Sequence, residues 1–138
     1  MKALHLSNFG ANNLSLVEQV VTEPSAHEVV VRLEAASLNT RDSQIIAGHF
    51  TQNVEFPLVP LSDGAGIVTK VGAAVTRFKV GDRVTPLFFP HWHSGEATAG
   101  ERAISTGLEA PGVAREVGVF HEQSLSYFPQ HLSAAEAA

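Results

Sequence analysis

The side chains with chemistry to offer fall into three short stretches. Asn39, Thr40 and Ser62 are neutral hydrogen-bonding residues, the types that hold a substrate carbonyl or, equally, satisfy loop backbone. Asp42, three residues after Asn39, could orient a ligand or cap a short helix. His91 and His93 flank Trp92, and on a strand alternate residues share one face, an arrangement open to a metal ion. A third ligand is not near them in sequence. Only folding could bring His121 or His131 to the pair, and the other reading is a surface or interdomain loop. The third stretch is LSDGAGIVTKVG, Leu61 to Gly72, whose spaced glycines raise the question of a phosphate-cradling loop.

A dinucleotide loop needs a strand before its glycines and a helix after them, so that the helix N-terminus meets the pyrophosphate. Here Ile67, Val68, Thr69 and Val71 follow, a β-rich run. Pro57 and Pro60 upstream fit an extended approach rather than a central strand. No Lys-Ser or Lys-Thr follows Gly72, so the P-loop spacing fails as well. Gly64 and Gly66 are therefore expected to permit close backbone packing or a bulge where a strand begins.

The elements that must position these residues are mostly strands. Glu28 to Ala35 alternates, with Val29, Val31 and Leu33 on one face and Glu28, Arg32 and Glu34 on the other. Met1–Leu6 and Leu14–Val21 read as two strands joined by the turn-rich NFGANN, and Glu23–Glu28 as a loop. Gly66–Val71, a strand after the Gly-Asp turn of VGDRV, Val113–Phe120 and Ser124–Phe128 follow. A short helical turn is expected over Thr40–Ala47, ended by Gly48. His91–Pro111 reads as a long excursion with room for one helical turn, and such excursions are often functional. Many short strands with little helix predict an antiparallel, barrel-like β domain. In HLSAAEAA, Ser133 and Glu136 form a capping box among alanines, so a helix is announced at the last residues, as expected for the front part of a longer protein.

Bulk properties narrow the class. With 138 residues, 44% of them hydrophobic and 17% charged, the chain has enough apolar material for one globular core and is not disordered. A net charge of −5 without a basic cluster argues against nucleic-acid binding, and no apolar run is long enough to span a membrane. Cysteine is absent, which excludes disulfides and thiolate metal sites. Met1–Gly10 lacks the apolar core of a signal peptide, and a cytoplasmic location is expected.

LSDGAGIVTKVG and VTRFKVGDRV, with AASLNTRD before them and HLSAAEAA after, resemble the medium-chain dehydrogenase/reductase family in the right order. The resemblance runs from Met1 to Ala138 and covers the family's N-terminal half. It implies a mainly β fold, a GroES-like partly open β-barrel with short helical turns, over residues 1–132. Residues 133–138 would start the helix leading towards a nucleotide-binding Rossmann domain that this chain does not contain. Zinc-dependent members carry Cys, three residues before an Asp, and then Gly-His-Glu. Here Asn39 stands at the Cys position, Asp42 is kept, and Leu61, Ser62 and Asp63 replace Gly-His-Glu. Asn and Ser are poor substitutes for thiolate and imidazole. The four-Cys structural zinc lobe would fall near His91–Pro111, where there is no Cys.

The resemblance thus implies the zinc-free branch, similar to alcohol dehydrogenase-like quinone and enone reductases. The intact enzyme is expected to use NADP(H) or NAD(H) and no zinc. It would transfer hydride to or from a small carbonyl, alcohol, activated alkene or quinone, with Asn39, Thr40 and Ser62 lining the substrate pocket. This half alone is expected to be inactive and to bind NADPH poorly. Expected partners are the Rossmann half, docking on an apolar patch that draws on Phe88, Phe89 and Trp92, and a second copy in a homodimer. The alternative is a stand-alone GroES-like binding or assembly module without catalysis.

Overall fold

Lys2–Leu6 (β1) and Leu14–Glu18 (β2) form an antiparallel hairpin in the computed structural model, which describes all 138 residues. The connecting NFGANN closes in a 3-10 turn at Ala11–Asn13. The second strand ends at Glu18, short of the expected Val21, because Val20 and Val21 run out into solvent, Val20 at 90% exposure.

A second, five-stranded antiparallel sheet carries the body of the fold. It comprises Glu28–Ala36 (β3), Gly64–Val71 (β4), Arg83–Pro86 (β5), Val117–His121 (β6) and Leu125–Tyr127 (β7), in spatial order β6-β3-β4-β5-β7. The sheet curls into a partial barrel. Val29 and Val31 of β3, Val68 of β4, Val84 of β5 and Leu125 of β7 meet inside it with Phe78. The alternation in β3 holds, although Val30 on the opposite face is buried too. The strand expected from Val113 begins only at Val117. The Arg115 N–H bonds back to the Val113 carbonyl at 2.7 Å, and the 114–116 backbone pairs with β1, keeping a single bond to β3, from the Leu33 N–H to the Glu116 carbonyl at 2.9 Å.

Two short helices complete the fold. Thr40–Ala47 (α1) has the expected bounds and ends where Gly48 turns left-handed at φ 76°. Ile45 anchors it in a second core with Leu6, Leu58 and Leu108. Ala134–Ala137 (α2) starts on the capping box, with the Glu136 carboxylate accepting from the Ser133 N–H at 2.8 Å. His91–Pro111 holds no helix. It is a series of turns, one of them closed by the Arg102 N–H on the Thr98 carbonyl.

The glycine stretch is the start of β4. Leu33 of β3 pairs with Gly66, and the register shifts between Leu33 and Ala35. This is the bulge and close approach that the glycines imply, and no helix follows them to meet a phosphate.

Candidate functional site

The β3–β4 ladder sets the geometry. Ala36 pairs with Gly64, and one residue further the Ser37 N–H donates to the Asp63 carbonyl at 3.0 Å. The chain beyond Ser37 then turns into α1, and that beyond Asp63 runs back through Ser62 and Leu61. Residues distant in sequence thus share one corner of the barrel. Asn39 precedes the first residue of α1. Its backbone N–H donates to the Asp42 carboxylate at 2.9 Å, so Asp42 caps the helix. The Asn39 amide nitrogen has a further role: Nδ2 donates to Asp63 Oδ2 at 2.9 Å and, more weakly, to Ser37 Oγ at 3.4 Å.

Leu61 is the one non-glycine residue with a left-handed backbone, at φ 72°. For a branched side chain this costs about 1–2 kcal/mol. The turn is held tightly, since the Val113 N–H donates to the Leu61 carbonyl at 2.9 Å. It delivers the next residue, Ser62, into the interior at 1% exposure, where its hydroxyl donates to Asp63 Oδ2. One carboxylate oxygen therefore accepts from both Asn39 and Ser62.

A cavity of about 370 Å³ opens beside this carboxylate, lined by Ser37, Asn39, Asp63, Thr85 and Pro86, with Ala137 and Ala138 closing one wall. Of the three residues singled out from sequence, Asn39 lines the cavity and Ser62 is buried behind Asp63. Thr40 is the exposed first residue of α1 and lies outside it. Two polar lining residues escaped sequence reasoning. Ser37 enters through the ladder, and Thr85 through β5, whose pairing with β4 and β7 is not written in its own four residues.

The neighbouring Arg41 is tied down. It donates to Ser105 Oγ at 2.6 Å and to the Thr106 carbonyl at 3.3 Å, and stacks 4.8 Å over the Phe88 ring. Desolvation pulls its pKa below the ordinary arginine value, against the pull of Asp42 and other nearby carboxylates. Phe88 and Phe89 pack edge to face at 4.6 Å and are half-buried, while Trp92 is 41% exposed. Leu38 and Phe50 are exposed on either side of α1.

The donor set does not suit a zinc ion. At the Cys- and His-equivalent positions, Asn39 and Ser62 present N–H and O–H hydrogens to Asp63, the opposite polarity to lone pairs converging on a cation. No group of three His, Cys, Asp or Glu side chains is placed to hold a metal anywhere in the chain. His91 and His93 line a different cavity together with His121.

Residues 25–130 match the family described as the alcohol dehydrogenase GroES-like domain. A zinc-type alcohol dehydrogenase-like protein of Schizosaccharomyces pombe is 39% identical over 111 residues, covering 80% of this chain and 32% of that protein. The chloroplast envelope quinone oxidoreductase homolog of Arabidopsis thaliana is 35% identical over the whole chain, which matches 38% of its own length. A solved structure of a candidate alcohol dehydrogenase from Sinorhizobium meliloti 1021 superposes with a TM-score of 0.89 at 37% identity, over 99% of this chain and 41% of that one. The chain thus spans about a third of the length of the curated relatives it matches.

Proposed function

The chain belongs to the alcohol dehydrogenase GroES-like domain family of the medium-chain dehydrogenases/reductases, and from that membership we propose that it is the substrate-side domain of a zinc-independent oxidoreductase. The observation that carries the zinc-independent part is the pair of donors, Asn39 and Ser62, spent on one oxygen of Asp63. A second, Rossmann-type domain would complete the enzyme, consistent with the chain matching only about a third of its relatives. NADP(H) or NAD(H), when bound by the complete enzyme, supplies the hydride.

The residues of this chain would bind and polarise the acceptor, a carbonyl, an enone or a quinone. Reduction adds a hydride to carbon and a proton from water to oxygen, and negative charge builds on that oxygen in between. Neutral donors that are already aimed stabilise such charge without a Lewis acid. One Nδ2 hydrogen of Asn39 is taken by Asp63, and that bond aims the second, held only by a weak 3.4 Å contact with Ser37 Oγ, at the substrate oxygen. The Thr85 hydroxyl, which makes no hydrogen bond within the protein, is a second donor lining the cavity. Asp63 itself would position the amide and not react. The exposed Leu38 and Phe50 would shield an apolar substrate body from water.

Asn39→Ala tests this assignment. In the intact enzyme, turnover with NADPH and an enone or quinone should fall by about 10- to 100-fold, with KM much less affected, because removing one pre-aimed donor weakens the transition state more than the ground state. Unchanged kinetics would reduce Asn39 to a residue that shapes the loop.

A further inference from the structure

A cavity of about 450 Å³, larger than the one beside Asn39, shares no lining residue with it. Ile104, Val119 and Phe120 supply an apolar wall, and His91 and His93 stand among its polar residues. Arg115 also lines it, with its guanidinium 5.3 Å from the centre of the Phe120 ring.

Arg115 also borders three further cavities, but each of those has a glutamate in its wall, and this one has no carboxylate. The Arg115 Nε is buried without a hydrogen-bond partner, and none of the chain's ion pairs includes this residue. The other two arginines that are partly buried, Arg41 and Arg83, both donate to protein oxygens. Burial alone pulls the Arg115 pKa down to about 10, with no carboxylate acting against it, so it is still a cation at neutral pH. A desolvated cation without a counter-charge is unfavourable, and buried charges in proteins are as a rule paired. A planar guanidinium pairs best with a carboxylate, through two parallel bonds.

We propose that this cavity is a binding site for a small organic carboxylate, whose charged end pairs with Arg115 and whose apolar body lies against Ile104, Val119 and Phe120. The site stands independently of the oxidoreductase reading. It calls for neither the nicotinamide cofactor nor the Asn39 cavity.

Trp92, the only tryptophan, sits between the lining residues His91 and His93 and reports on the site. Benzoate added to the 138-residue chain should change its fluorescence saturably. The neutral isostere benzamide should bind at least about tenfold more weakly, since a hydrogen-bonded ion pair is what distinguishes them. Arg115→Met should abolish the response to benzoate, and Arg115→Lys should restore part of it. Should Arg115→Met not fold, the Arg115 Nε–H resonance of the unmodified protein should shift with benzoate and not with benzamide. Equal binding of the two compounds, no response to either, or a benzoate response that leaves the Arg115 resonance unmoved would overturn the proposal.

Discussion

Gly66→Ala should destabilise the 138-residue chain by about 2–3 kcal/mol, lowering its melting temperature by roughly 6–10 °C. Gly66 pairs with Leu33 beside the register shift of the β3–β4 ladder. A methyl group there would run into the carbonyl of Arg32 and come within 2.9 Å of the Leu33 Cα, both of them backbone. Backbone in the middle of a paired ladder cannot swing aside as a side chain does, so the strands would separate or shift register. Gly64→Ala is the control. Its nearest obstacles, the Ala35 carbonyl and the Val113 side chain, lie 3.1 Å away, and Val113 can yield. Thermal melts of both variants decide the matter. If Gly66→Ala melts no lower than Gly64→Ala, the glycine stretch is not a packing device.

The second large effect is expected at Glu122, on the turn between β6 and β7. Its carboxylate is 3% exposed and accepts from the Thr76 and Arg77 N–H groups at 2.9 Å each and from His27 Nδ1 at 3.0 Å. The Thr76 N–H is the main reason the carboxyl pKa is held at about 2, followed by Arg77 and His27. The folded pKa lies below the unfolded value of about 4.3, so the stabilisation is complete above that value and is lost as pH falls towards 2. Glu122→Leu should cost about 2–4 kcal/mol at neutral pH, because it strands two buried backbone donors. It should also flatten the loss of stability between roughly pH 5 and 2. Denaturant melts across that range would show both effects, and a variant that tracks the wild type at every pH would remove Glu122 from this role.

What sequence reasoning reached was local. The bounds of α1, its stop at Gly48, the Ser133–Glu136 capping box and the in-out pattern of β3 each depend on residues within one turn or one strand. The departure at Leu61 was visible as a missing glycine, but the left-handed turn that buries Ser62 also depends on Val113, 52 positions later, holding the Leu61 carbonyl. The site was legible in part for the same reason. Asn39 and Asp63 stood out by position, yet their contact follows from the β3–β4 register, which no periodicity within either strand specifies. Thr85, Glu122 and Arg115 were invisible, since each gains its role from a partner, or the lack of one, far along the chain.

In the proposed enzyme, hydrogen bonds take the place of a metal at Asn39, Ser62 and Asp63. The most direct test is turnover of the intact enzyme with NADPH and an enone or quinone after exhaustive dialysis against a strong chelator, with zinc measured in the same sample. Full turnover at less than stoichiometric zinc is the predicted result. Loss of turnover on chelation, restored by one equivalent of added zinc, would contradict it.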